Sequence, residues 1–149
     1  MKAIVDKYLG YLLVVLMVIM TLDVLWGVVT RYIFGSQAGW TGELARFLLI
    51  WISLLGAAYV SGQNQHLAID LLSHQLNPQQ RNRLVGIING LAILFALLVL
   101  VIGGIRLVYI TQILAQRSPA LGLPMAFVYT VLPVSGLLII FYKMRAWKS

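Results

Sequence analysis

Four runs of apolar residues, each long enough to cross a lipid bilayer, constrain this sequence more than any other feature. They cover about residues 8–34, 44–61, 84–115 and 125–142. A helix needs roughly 20 apolar residues to cross a hydrocarbon core about 30 Å thick. Charged residues make up only 10% of the 149-residue chain, against about 25% in soluble domains. The sequence therefore predicts an all-α membrane protein, a single domain of four transmembrane helices.

The lysine and arginine residues at the ends of these runs and between them predict how the helices are oriented. Seven lie on the side of the two termini and the middle loop: Lys2, Lys7, Arg81, Arg83, Lys143, Arg145 and Lys148. Three lie on the other side: Arg31, Arg46 and Arg117. Because positively charged loops stay in the cytoplasm, we expect a multi-pass bacterial inner-membrane protein with both termini cytoplasmic. The net charge of +7 then reflects topology, and no nucleic-acid partner is expected.

The middle loop contains a short segment with the pattern of an amphipathic helix, about residues 66–76. Its leucines fall on one helical face: Leu67, Leu71, Leu72 and Leu76. His66, Asp70 and His74 fall on the opposite face. A segment this short cannot span a membrane, so the pattern predicts a helix that lies in the cytoplasmic lipid interface.

Two charged residues lie well away from the ends of the apolar runs. Asp23 is near the middle of the first run, and Arg106 is in the outer half of the third, at a similar depth. A charged side chain in the membrane is costly unless it is paired. We therefore predict an intramembrane ion pair between Asp23 and Arg106. The alternative is that Asp23 couples transport to protons or cations.

A second polar group lies where the second run begins. Thr41 is a candidate N-cap, and Glu43 and Arg46 are three residues apart, a spacing that allows them to pair on a helix. Arg31 is close to the same surface. These residues either anchor and cap the helices or form a polar patch for a partner. In the third run, Gly86-x-x-x-Gly90 is a pattern that permits close helix contact.

The residues that would support an enzyme or a cofactor site are missing from the sequence. There is no cysteine, no phosphate-binding glycine loop, and no nucleophile with a paired base. His66, Asp70 and His74 have a spacing seen in metal sites, but a solvated polar face explains them better. We expect no enzyme activity, no bound metal and no cofactor.

Several short motifs, in a fixed order along the chain, resemble one transporter family. They are Arg31-Tyr32-x-Phe34, Trp40-x-x-Glu43-Leu44-x-Arg46-Phe47, Trp51, Gly56-Ala57-Ala58, His66-x-x-x-Asp70-Leu71-Leu72, Gln116-x-Ser118-Pro119-Ala120-Leu121-Gly122-Leu123-Pro124 and Tyr129-x-x-x-Pro133. Together they resemble the small membrane subunit, the Q or DctQ-like subunit, of tripartite ATP-independent periplasmic (TRAP) transporters. Within that family the sequence is most similar to the subunits of sialic acid systems.

The resemblance implies a three-part importer. A periplasmic binding protein captures an organic acid, a large membrane subunit (M) moves it with a sodium gradient, and the small subunit supports M within the lipid. Partner contacts are then expected at the outer face, from these residues: Arg31, Trp40, Glu43, Arg46, Ser118, Pro119, Gly122 and Pro124. The residues that select the solute are expected in the other two proteins.

Two other functions are compatible with a small four-helix membrane protein. One is a homodimeric exporter of cations or drugs, which would use Asp23 to bind its cargo and protons. The other is an electron-carrying bundle, which would need histidines inside the spans, and none lies there. The exporter is the main alternative to the scaffold subunit.

Overall fold

The computed structural model describes residues 2–36, 38–63 and 78–148, and nearly all of them are helical. The helices are α1 (Lys2–Ile33), α2 (Gly39–Gly62), α3 (Pro78–Phe95), a π-helical segment (Ala96–Gly103), α4 (Gly104–Ile113), α5 (Met125–Tyr129) and α6 (Val131–Lys148). Four stretches are long and apolar enough to cross a membrane: span 1 (Ala3–Ile33), span 2 (Gly39–Gly62), span 3 (Arg83–Ile113) and span 4 (Met125–Arg145). The all-α, four-span prediction is confirmed.

The predicted interfacial helix lies outside the described residues. This applies to all of its residues: His66, Leu67, Asp70, Leu71, Leu72 and Leu76. It stays a prediction.

Span 2 begins at Gly39, two residues before the predicted cap. Ala38, which has extended φ and ψ angles of −60° and 120°, takes the N-cap position and offers no side-chain hydrogen bond. The hydroxyl of Thr41 donates instead to the backbone carbonyl of Ala38, at 2.7 Å. Thr41 is therefore inside the first turn, with its side chain 1% exposed, and its prediction as the N-cap was wrong.

Spans 3 and 4 approach each other through glycines that the sequence pattern did not single out. A Cβ atom on Gly104 would lie 2.9 Å from Leu132 Cβ and from Pro133 Cδ. A Cβ on Gly136 would lie 2.8 Å from Leu100 Cβ. By contrast, a Cβ on Gly86 or Gly90 would meet nothing within 4 Å among the described residues. The Gly86-x-x-x-Gly90 pattern therefore makes no close helix contact in this part of the chain.

Span 4 is interrupted at Thr130, between α5 and α6. Pro133 follows closely, and proline removes a backbone donor and crowds the carbonyl four residues before it. The carbonyl of Val128 accepts a hydrogen bond from the indole Nε1 of Trp51 in α2, at 3.1 Å. The ring of Trp51 also stacks on Phe127, with centroids 5.8 Å apart. Span 2 thus satisfies backbone that the helix break leaves open, as neighbouring helices do around proline in membranes.

The main contacts between spans follow the order 1–2–4–3. Span 1 packs on span 2, span 2 packs on α6, and α6 packs on α3 and the π-helical segment. The central cluster joins three spans through Leu9, Leu55, Val131 and Tyr142. Spans 1 and 3 therefore lie at opposite edges. We call the end where span 2 begins the Glu43 end, and the end where span 2 finishes the Tyr142 end.

Candidate functional site

The carboxylate of Glu43 holds the loop that connects spans 3 and 4. Its Oε2 atom accepts a hydrogen bond from the hydroxyl of Ser118 at 2.6 Å. The same oxygen accepts bonds from the backbone N–H groups of Ala120 and Leu121, each at 3.1 Å. Hydrogen bonds to an ionised acceptor are about twice as strong as neutral ones. One side chain of span 2 thus orders a loop 75 residues further along the chain.

The held loop is itself compact. The backbone N–H of Ser118 donates to Leu123 O at 2.9 Å, and that of Gly122 donates to Ser118 O at 3.0 Å. Gly122 has a φ of +66°, a left-handed conformation that glycine adopts without a Cβ penalty. The turn places Ser118, 3% exposed, against Glu43.

Span 3 ends in a Schellman motif just before this loop. The N–H of Gln116 donates to Thr111 O at 3.2 Å, and the N–H of Ala115 donates to Gln112 O at 3.1 Å. These are the two bonds of the motif, which usually has glycine in its left-handed position. Here Ala115 occupies that position, with a φ of 46°.

The predicted outer-face residues all lie at the Glu43 end, but the structure joins only two of them by a side-chain hydrogen bond. Glu43 and Ser118 form that bond. Glu43 also feels the charge of Arg46, although its hydrogen bonds go to the loop. The remaining predicted residues are exposed: Arg31, Trp40, Arg46, Pro119, Gly122 and Pro124. Sequence spacing indicated a pairing of Glu43 with Arg46 and missed the bond to Ser118.

The structure does not bring Asp23 and Arg106 together. Asp23 is on span 1, which packs on span 2, whereas Arg106 is exposed on span 3 at the opposite edge. The similar depth predicted for Asp23 and Arg106 therefore did not bring them close, because spans 2 and 4 lie between spans 1 and 3. The predicted ion pair requires spans 1 and 3 to be neighbours, and in this helix order they are not.

Asp23 is instead enclosed between spans 1 and 2. Its side chain is 5% exposed. Neither carboxylate oxygen completes a hydrogen bond with a described residue, although the backbone N–H of Ala45 is close enough to favour the charged carboxylate. Asp23 lines a pocket of about 110 Å³ together with residues of both spans: Val24, Gly27, Val28, Arg31, Thr41 and Ala45. A pocket of that volume has room for several waters. Asp23 and Arg31 both line it.

A second tie closes the Tyr142 end. The hydroxyl of Tyr142 in α6 donates to Asp6 Oδ1 in α1 at 2.5 Å. The tyrosine ring, 3% exposed, packs against Gly62, where a Cβ would lie 2.7 Å from the ring. In the sequence, Tyr142 is the last residue of the fourth apolar run, and Asp6 lies just before the first. Their 136-residue separation leaves no local pattern by which to find the bond.

One cavity among the described residues is almost entirely apolar. It measures about 440 Å³, lies between spans 1 and 2, and is lined by Met17, Met20, Thr21, Val24, Leu25, Leu49 and Ile52. The described residues contain no group of three His, Cys, Asp or Glu side chains that could hold a metal ion. The polar chemistry of the described chain is therefore concentrated in the ties at its two ends and in the Asp23 pocket.

These features define a small multi-pass membrane protein whose helices are tied to one another by single polar side chains. The family model described as "Tripartite ATP-independent periplasmic transporters, DctQ component" matches residues 16–148. The chain belongs to this family.

Proteins of known description agree with this assignment. The chain is 29% identical over 139 residues to a Haemophilus influenzae protein whose name places it with the TRAP transporter small permease proteins, covering 93% of this chain and 82% of the relative. It is 29% identical over 107 residues to the C4-dicarboxylate TRAP transporter small permease protein DctQ of Rhodobacter capsulatus, covering 72% of this chain and 47% of the relative. It is 32% identical over 100 residues to the isethionate TRAP transporter permease protein DctMQ of Oleidesulfovibrio alaskensis, covering 67% of this chain and 16% of the relative.

Proposed function

We propose that this chain is the scaffold subunit of a sodium-coupled TRAP transporter. In this proposal the large membrane subunit moves the solute, and the small subunit supports it in the membrane. The observation that supports the proposal is that polar side chains form hydrogen bonds between separate spans and loops. Glu43, Tyr142 and Trp51 each join separate parts of the chain, which suits a frame that keeps its shape beside a moving partner.

The solute proposed is an organic acid delivered by a periplasmic binding protein. Two relatives are named for a C4-dicarboxylate and for isethionate, and both of these are small organic anions. Sialic acid, suggested by the sequence motifs, belongs to the same chemical class. The DctMQ relative is named as a single permease protein, which supports a permanent association of the small subunit with a large one.

The location proposed is the bacterial inner membrane with both termini in the cytoplasm. The lysine and arginine distribution supports this orientation, because seven of these residues lie on the side of the Tyr142 end and three on the other. The Glu43 end then faces the periplasm. Its exposed residues Arg31, Trp40, Arg46 and Pro119 would be available to the large subunit or to the binding protein.

The exporter alternative rests on Asp23, and the surroundings of this residue argue against it. A carboxylate that exchanges protons for cargo must be reached by both. Asp23 is 5% exposed and shares a pocket of about 110 Å³ with Arg31. Membership of the DctQ family also favours the TRAP function.

The test is reconstitution of the components into proteoliposomes. The small subunit alone, the large subunit alone and the two together are each supplied with the binding protein and the radiolabelled solute, with and without an inward sodium gradient. We expect uptake only when both membrane subunits are present, and only with the gradient. Flux through the small subunit alone would contradict the scaffold function.

A further inference from the structure

Arg106 is an intramembrane cation that the described chain leaves without a partner. It lies in α4, its side chain is exposed, and it makes no hydrogen bond or ion pair with any described residue. The residue at the close contact with span 4 is Gly104. A residue two positions further on a helix points to nearly the opposite side, so Arg106 projects away from span 4.

The depth of Arg106 follows from contacts between spans. Trp51 is at the middle of the 24-residue α2 and is bonded to Val128. Gly104 packs on Pro133, five residues beyond Val128 and about 7.5 Å from it along the span. Arg106 is two residues back toward the Glu43 end, which places its backbone about 5 Å from the level of Val128.

A second contact gives the same depth. Thr111 and Ala126 line one small pocket and are therefore nearly level. Arg106 is five residues, about 7.5 Å, from Thr111 in the direction of the Tyr142 end. Val128 is two residues, about 3 Å, from Ala126 in the same direction. The difference again places Arg106 about 5 Å from Val128. A hydrocarbon core about 30 Å thick contains Arg106 whether it is centred on α2 or on span 3, whose middle is eight residues, about 12 Å, from Arg106.

The surface around Arg106 is apolar and wide. Its exposed members are Ile102, Ile105, Tyr109, Ile110 and Ile113, with exposed fractions between 41% and 65%. Span 1 presents a comparable apolar edge, exposed at Val14, Val18, Leu22 and Leu25. The edges differ in charge, because Asp23, the acidic residue in the interior of span 1, is buried. A guanidinium at this depth is costly against lipid but favourable against an oxygen acceptor.

We propose that the span 3 edge, defined by Ile102, Ile105, Arg106, Tyr109, Ile110 and Ile113, is the docking surface for the large membrane subunit. That subunit presents a carboxylate or a free backbone carbonyl to Arg106 within the hydrocarbon core. Span 1, whose exposed edge carries no comparable charge at this depth, faces lipid. This inference rests on the proposed function, since it assigns the contact surface of the same subunit pair.

The experiment uses the full chain co-expressed with an affinity-tagged large subunit. The chain has no cysteine, so single substitutions carry a photoreactive thiol label cleanly. Ile102→Cys and Tyr109→Cys report the span 3 edge, and Val18→Cys and Leu25→Cys are the matched controls on span 1. We expect cross-links to the large subunit from the first pair and to lipid from the second. Cross-links to the large subunit from span 1 alone, or to lipid alone from span 3, would overturn the assignment.

Substitution of the arginine tests the charge. Arg106→Leu should lower the amount of small subunit recovered with the tagged large subunit by about threefold to tenfold, as expected for one intramembrane hydrogen bond, and Arg106→Lys should retain most of it. Unchanged recovery of Arg106→Leu would contradict a role for the guanidinium in docking. If the unsubstituted chain fails to co-purify with the large subunit at all, the proposed function fails, which is a separate result.

Discussion

Glu43 and Ser118, 75 residues apart, share a hydrogen bond of 2.6 Å that fastens the loop between spans 3 and 4 to the beginning of span 2. Two backbone N–H groups of the loop, those of Ala120 and Leu121, converge on the same carboxylate oxygen. The loop is therefore held to span 2 by one acceptor outside itself, in addition to its own backbone hydrogen bonds.

Replacing the side chain of Glu43 should release the loop without unfolding the spans. In Glu43→Gln the acceptor loses its charge, and hydrogen bonds to neutral acceptors are weaker. We expect faster amide hydrogen exchange at Ala120 and Leu121, with exchange in the spans unchanged. Arg46→Gln is the matched control, because Arg46 is exposed and does not bond to the loop. Equal protection in Glu43→Gln and the unsubstituted protein would contradict the role assigned to this carboxylate.

Gly62 should not tolerate a methyl group. Its Cβ would lie 2.7 Å from the ring of Tyr142, so Gly62→Ala must displace a buried side chain and the bond it makes to Asp6. Overpacking of this kind costs about 1–3 kcal/mol, and thermal unfolding in detergent should show a lower midpoint. Gly56→Ala in the same helix is the control, since a Cβ there meets nothing within 4 Å. It should leave the midpoint unchanged or raise it, and a fall equal to that of Gly62→Ala would refute the packing argument.

The two left-handed positions between spans 3 and 4, Ala115 and Gly122, should respond to substitution in opposite directions. Ala115 has a φ of 46°, and a residue with a Cβ pays about 1–2 kcal/mol in this conformation. Ala115→Gly should therefore stabilise the protein, by less than that amount because glycine also gains freedom in the unfolded chain. Gly122→Ala should destabilise it, although its Cβ would meet open space. Thermal unfolding of both variants checks this, and shifts of the same sign would contradict it.

Removing the buried carboxylate of Asp23 should raise stability. Neither of its buried oxygens completes a hydrogen bond with a described residue, and an apolar replacement of an uncompensated buried charge is often stabilising. We expect Asp23→Leu to raise the unfolding midpoint by about 2–4 °C and to preserve assembly and transport. Tyr142→Phe, which removes the hydroxyl bonded to Asp6, should lower the midpoint. Loss of transport by a well-assembled Asp23→Leu protein would instead give Asp23 a coupling role.

The number and approximate position of the spans could be predicted because the thickness of the hydrocarbon core sets the length of each apolar run. The order of the spans could not, since hydropathy states how deep a residue lies and not which helix is beside it. The Asp23–Arg106 pairing failed for this reason. The bond from Glu43 to Ser118 could not be predicted because Ser118 lies in a loop, and a loop has no sequence periodicity that indicates its contacts. Gly104 and Gly136 could not be predicted from the small-xxx-small pattern, because neither has another small residue four positions away. Each makes its close helix contact alone.

The 1–2–4–3 order also bears on how the chain assembles as it is synthesised. Spans 1 and 2 are neighbours both in sequence and in space, so they can associate as a hairpin soon after both enter the bilayer. Span 3 enters next, and its main neighbour is α6, which the ribosome has not yet made. Span 3 must therefore wait in the lipid, with Arg106 exposed, until span 4 inserts beside span 2. Assembly of the last two spans is a late event that follows synthesis of span 4, and this interval is when an insertase or the large subunit would be needed to shield span 3.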